Sequence, residues 1–122
     1  INSNLIKIAN KKYKNKTFKV KDISDLKSIN LGFDIAISSG VAGNRQGPAD
    51  TQSKLMHYLN FMFNSAKVVM VNFPSNRETI RSEYVEYFAP EYVVSQALNI
   101  TTNIELIHKN QFDFLLILKH NE

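Results

Sequence analysis

Residues 33–48 read Phe33-Asp34-Ile35-Ala36-Ile37-Ser38-Ser39-Gly40-Val41-Ala42-Gly43-Asn44-Arg45-Gln46-Gly47-Pro48. A short apolar run stops in a loop of small residues and glycines, and a long amphipathic segment follows. That order predicts a strand from Phe33 to Ser38, nearly all apolar after Asp34, as a strand buried on both faces would be. Its carboxyl end is expected to open on a crevice, the place where open parallel sheets bind ligands. Gly47-Pro48 then starts a helix. Proline in a first helical turn loses no hydrogen bond, and Asp50 favours the positive end of the helix dipole.

Outward from that loop, Leu55, Leu59 and Met62 recur at helical spacing, flanked by Met56 and Phe63. Ala66 to Phe73 is the strongest strand pattern, closed by Pro74. A polar helix is expected from Asn76 to about Phe88, and a short one from Pro90 to Leu98. Asn103 to His108 and Phe112 to Leu118 read as strands. Only Lys109-Asn110-Gln111 separates them, so they must be antiparallel neighbours. Toward the N-terminus, Asn4 to Lys12 groups Leu5, Ile6, Ile8 and Ala9 on one side of a helix. Thr17 to Lys21 alternates like a short strand, and Asp22 to Ile29 reads as a turn of helix. The alternation predicts an α/β fold: a Rossmann-like sheet of mostly parallel strands, helices on both faces and a C-terminal antiparallel hairpin. It forms a single domain, complete or partial, over residues 1–122.

A chain of 122 residues suffices for one core, and a hydrophobic fraction of 43% excludes a disordered chain. The absence of cysteine excludes disulfides and thiolate metal sites and fits a reducing compartment. No apolar run approaches the roughly 18–20 residues of a membrane helix. The N-terminus lacks the apolar core of a signal peptide, so a cytoplasmic protein without a membrane partner is expected. His57, His108 and His120 are far apart with no His-x-x-x-His spacing, and no metal site is expected.

Charge is unevenly placed. Seven of the fifteen basic residues (Lys7, Lys11, Lys12, Lys14, Lys16, Lys19 and Lys21) precede the first acid, Asp22. The remainder holds all eleven acids and eight basic residues. The segment reads either as an arm for nucleic-acid phosphates or an anionic surface, or as a solvated lysine-rich helix. Lysine without arginine, with only Tyr13 and Phe18 for stacking, makes a poor base-reading surface.

Ser38-Ser39-Gly40 lacks the Gly-x-Ser-x-Gly elbow of a serine hydrolase, and the loop to Gly47 lacks the Gly-Lys-Ser/Thr ending of a P-loop. Asp22 and Asp34 at strand ends suit caps or turns, and Asp34 reads as structural. Arg77, Glu78, Arg81, Glu83 and Glu86 read as a solvated helix face with spaced ion pairs. Tyr84, Tyr87, Phe88 and Tyr92 read as packing near the crevice rim or as a wall for a substrate.

The run TFKVKDISDLKSINLGFDIAISSGV (17–41) resembles the middle of the class I S-adenosylmethionine-dependent methyltransferases. In that family a strand ends in an acid, a short helix follows, and the next strand reads Phe-Asp, then apolar residues and a small-residue loop. AKVVMVNFP and IELIHKNQFDFLLILK continue in step, and a reversed last strand is characteristic of the family. The resemblance implies S-adenosylmethionine as cofactor and methyl transfer by in-line displacement to a small-molecule or macromolecular acceptor. It implies that Asp22 and Ile23 meet the adenine and that Ser38, Gly40 and Val41 lie in the cofactor loop. Ser38 and Ser39 would then flank the reacting methyl, with Asn44 and Arg45 at the acceptor and no metal. The family's glycine-rich acidic loop is not in this chain, whose first glycine is Gly32. Either the chain is the later part of such a domain, or it descends from one and does not bind cofactor unaided. The alternative is a non-catalytic Rossmann-like binding or scaffolding module that uses the basic arm. A missing first strand would leave a sheet edge open to an oligomer.

Overall fold

The computed structural model describes residues 2–20, 32–43 and 51–121. Their elements are α1 (Ser3–Lys12), β1 (Phe33–Ser38), α2 (Thr51–Ser65), β2 (Ala66–Pro74), α3 (Pro90–Ala97), β3 (Ile104–Ile107) and β4 (Asp113–Lys119). Each helix start with described geometry has a local cause. Asn2 lies extended before α1, and its Oδ1 accepts from the backbone N–H groups of Asn4 (3.1 Å) and Leu5 (3.2 Å). Pro90 opens α3, with Glu91 in its first turn.

The four strands form one sheet in the order β1-β2-β4-β3. β1 runs parallel to β2, with Ile35 opposite Val68 and Ser38 opposite Val71. β4 runs antiparallel to β2, with Val69 opposite Leu118 and Phe73 opposite Phe114. β3 and β4 are antiparallel neighbours, as their short connection requires, with Ile104 opposite Leu118.

The core lies on one face of this sheet. Val69, Val71 and Phe73 of β2 and Phe114, Leu116 and Leu118 of β4 are buried there. Leu55, Leu59 and Met62 of α2 and Val93 and Ala97 of α3 cover them, with Phe88. Phe73 stacks on Phe114 with centroids 5.4 Å apart and meets Phe88 edge-on at 5.3 Å. These are the offset and edge arrangements that aromatic rings favour.

This architecture corrects the expected one. The sheet is mixed, with one parallel pair and two antiparallel pairs, rather than mostly parallel. α2 and α3 pack on the same face, rather than on both faces. The physical reason lies in β4, which is inserted between β2 and β3 and reverses the direction of both its pairings. β1 departs from expectation as well. Phe33, Ile35 and Ile37 share its outer face and are 52%, 55% and 71% exposed, while Ala36 and Ser38 face the core. β1 is the end strand of the described sheet, and its alternation marks one inward face rather than burial on both.

The helix expected over 76–88 is absent; those residues are turns and bends. Their ends are tied to the sheet instead, with Phe88 N–H donating to the Pro74 carbonyl and Asn76 N–H to the Phe88 carbonyl, both at 2.9 Å. Residues 17–20 form no strand. The Phe18 backbone bonds the Asn10 side chain, which donates from Nδ2 and accepts at Oδ1. The expected helix over 22–29 and the helix start at Gly47-Pro48 with Asp50 lie outside the described residues. Among the described helices, none is long and apolar enough to cross a membrane.

Phe73→Ala is expected to lower unfolding free energy by about 3–5 kcal/mol, because a buried ring and its two aromatic neighbours lose contact. Ile37→Ser should stay within about 0.5 kcal/mol. Urea unfolding curves of the two variants check the contrast.

Candidate functional site

Because β1 and β2 are parallel, their carboxyl ends open at the same edge of the sheet. Ser38, the last residue of β1, is buried there, and its Oγ accepts a hydrogen bond from the Tyr58 hydroxyl of α2. Tyr58 reaches it because Leu55, Leu59 and Met62 turn that stripe of α2 toward the sheet. Burial pushes the Tyr58 phenol above its usual value of 10, and the bond to Ser38 opposes that only in part. The phenol is therefore a protonated donor at neutral pH, which leaves the Ser38 O–H as a donor in its turn.

Ser39, Gly40 and Val41 follow as an exposed turn. Gly40 has φ +72°, a conformation that favours glycine, and a Cβ there would meet nothing within 4 Å. Gly43 is the opposite case. A Cβ there would lie 2.3 Å from Pro74 Cγ and 2.9 Å from Pro74 Cδ. The Gly43 carbonyl accepts from the Glu86 N–H at 2.8 Å. The loop after β1 is thus clipped both to the end of β2 and to the segment after it.

That segment begins with Ser75, fully buried, whose N–H donates to the Phe112 carbonyl at 2.9 Å. Ser75 Oγ accepts from the Arg77 N–H at 3.2 Å. Beside it, Asn76 Oδ1 is buried with no hydrogen-bond partner among the described residues, an acceptor left over at the sheet edge. The edge therefore combines a hydroxyl donor, a spare amide acceptor and a loop open above Gly40.

Of the residues singled out from sequence, Ser38, Ser39, Gly40 and Val41 stand together at the end of β1. Asp22, Ile23, Asn44 and Arg45 lie outside the described residues. Asp34 lies at the other end of β1, where its carboxylate accepts from Lys67 Nζ at 2.8 Å. The Lys67 hydrogen bond and charge hold the Asp34 carboxyl below its usual range. Both side chains are exposed, so the pair adds little stability.

The charged cluster after β2 is not a helix face of spaced pairs. Arg77 pairs with Glu91 of α3, and Arg81 donates to the Glu78 carbonyl and sits over the Tyr87 ring. The aromatic group also divides, with Phe88 in the core and Tyr84 76% exposed. His57 is exposed, His108 meets Phe114 edge-on and His120 stacks on Phe63. Among the described residues, no three His, Cys, Asp or Glu side chains gather as metal ligands.

Tyr58 and Asn76 were not singled out from sequence. Tyr58 had a signal, a hydroxyl on the apolar stripe Leu55-Leu59-Met62 of the helix that follows the loop. Asn76 had none, since its position depends on the turn that replaces the expected helix. Neither a scan against protein-family models nor a search of curated proteins returned a match for this chain.

Gly43→Ala should cost about 1–3 kcal/mol, because Pro74 blocks the added methyl. Tyr58→Phe removes the donor to buried Ser38 and should cost about 1 kcal/mol. The Tyr58 phenol titrates higher folded than unfolded, so above about pH 10 the unfolded chain loses this proton first and stability falls. Denaturant melts from pH 8 to 11 should show a steeper decline in the wild type than in Tyr58→Phe.

Proposed function

We propose that the edge formed by β1 and β2 is the acceptor side of a methyl-transfer site that uses S-adenosylmethionine. The observation that carries this reading is the pair of buried Ser38 and half-buried Tyr58 beside a small-residue loop, at the shared carboxyl end of two parallel strands. The reversed closing strand β4 agrees with the resemblance noted in the sequence.

The described residues fit that side of such a site. Gly40 leaves open space where any other residue would place a Cβ, so a ligand can approach the backbone closely. The Ser38 O–H, oriented by the Tyr58 donor, would hold an acceptor heteroatom, with Ser39 and Val41 on the loop beside it. When bound, S-adenosylmethionine supplies a methyl group already activated on a sulfonium. The work left to the protein is mainly positioning, which a clipped loop and a part-buried hydroxyl pair do by holding still. Asp22 and Ile23 are the proposed adenine contacts, and Asn44 or Arg45 the proposed acceptor contacts.

Calorimetric titration of the whole gene product with S-adenosylhomocysteine tests the reading. It predicts saturable heat and a raised Tm, with affinity weakened roughly tenfold or more in Asp22→Ala, the loss of a hydrogen bond to a fixed acceptor. Neither heat nor a Tm shift from a folded sample would overturn it.

A further inference from the structure

The N-terminal segment forms a small surface of its own. α1 contains no buried residue, and Leu5 and Ile8 are 62% and 61% exposed. The chain after α1 turns back on it. Tyr13 N–H donates to the Ala9 carbonyl at 2.9 Å, and Lys16 N–H to the Tyr13 carbonyl at 3.1 Å. Asn10 then clamps the returning chain at Phe18, with Nδ2 donating to the Phe18 carbonyl at 3.0 Å and Oδ1 accepting its N–H at 3.1 Å. The Tyr13 and Phe18 rings meet at 6.1 Å, and Lys12 Nζ lies 5.3 Å from the Tyr13 ring centroid.

Lys7, Lys11, Lys12, Lys14, Lys16 and Lys19 are all exposed on this folded-back unit, and no acid lies between Ile1 and Lys21. The rest of the chain carries three more acids than basic residues. A polyanion is therefore drawn to this unit and repelled elsewhere.

We propose that residues 2–20 form a docking surface for the phosphate backbone of a nucleic acid, without reading its bases. Lysine is a point charge on a flexible stem and needs no fixed geometry, which suits a line of phosphates. Base readout would need arginine or aromatic side chains free to stack, whereas Tyr13 and Phe18 are turned toward each other. An anionic membrane fits less well. At 100° per residue Lys12 falls between Leu5 and Ile8, so a lysine sits in the middle of the arc that would have to enter lipid. This surface is independent of the methyl-transfer reading, which rests on residues from Asp22 onward.

Fluorescence anisotropy of the full chain with two labelled 20-nucleotide single-stranded RNAs of different sequence tests the proposal. Binding should be micromolar to about 100 micromolar at physiological salt, alike for both RNAs, with a log–log salt slope of about −3 to −4 for four to six phosphate contacts. Replacing the six lysines by glutamine should weaken binding at least tenfold (about 1.4 kcal/mol) and flatten the slope, with Tm unchanged because the unit buries nothing. Lys109→Gln with Lys119→Gln should leave binding intact. Asn10→Ala removes no charge and should weaken binding about threefold by loosening the folded-back surface. Binding that survives the six substitutions, or no weakening in Asn10→Ala, would overturn the proposal. So would preferential binding to phosphatidylcholine–phosphatidylserine vesicles that depends on Leu5 and Ile8.

Discussion

The antiparallel pairing of β2 with β4, from Val68–Lys119 to Pro74–Asp113, is the constraint on which the other elements depend. It sets Phe73 against Phe114 and makes a continuous apolar surface with Val69, Val71, Leu116 and Leu118. α2 and α3 have an apolar stripe each and one such surface to cover, so they pack side by side on it. β3 is held by its short connection to β4, and β1 by its parallel ladder to β2. Neither flanking strand contributes a large residue to the fully buried set, which β2 and β4 dominate. Hydrophobic burial and the sheet ladder thus converge on the same two strands.

The site follows from that arrangement. A parallel neighbour is the only kind that brings a second carboxyl end to the end of β2, and β1 supplies it. Small residues then let the loop after β1 come close to Pro74, so close that Gly43 has no room for a methyl group. The segment after β2 is held by backbone hydrogen bonds to the strand ends. Within it, Asn76 Oδ1 is buried and without a partner among the described residues.

Much of the element order was legible because periodicity is strong where burial is strong. Ala66 to Phe73 and Phe112 to Leu118 matched β2 and β4 within a residue, and Pro90 marked the start of α3. The antiparallel pairing of β3 with β4 followed from a connection too short for a crossover, whereas the insertion of β4 between β2 and β3 has no local signal. The face of β1 was not legible. Phe33, Ile35 and Ile37 look like core residues in sequence, and only the placement of α2 and α3 shows that Ala36 and Ser38 face inward. The turns over 76–88 were hidden for a related reason. Their order comes from backbone bonds to Pro74, Gly43 and Phe88 that no local pattern encodes. At the site, the loop Ser38 to Gly43 was readable from small residues ending a strand, while Tyr58 emerged only once the stripe of α2 had a partner.

Hydrogen exchange followed by NMR tests the central claim that β2 and β4 form the middle of the described sheet and β1 the end strand of its described residues. Amides of Val69, Val71, Phe73, Leu116 and Leu118 should exchange only through global unfolding. Within β1, alternate amides should exchange about a thousandfold faster, because one edge of the strand faces no partner among the described residues. Uniform protection along β1, equal to that of β2, would contradict the account, since it would mean that a strand lies on both sides of β1.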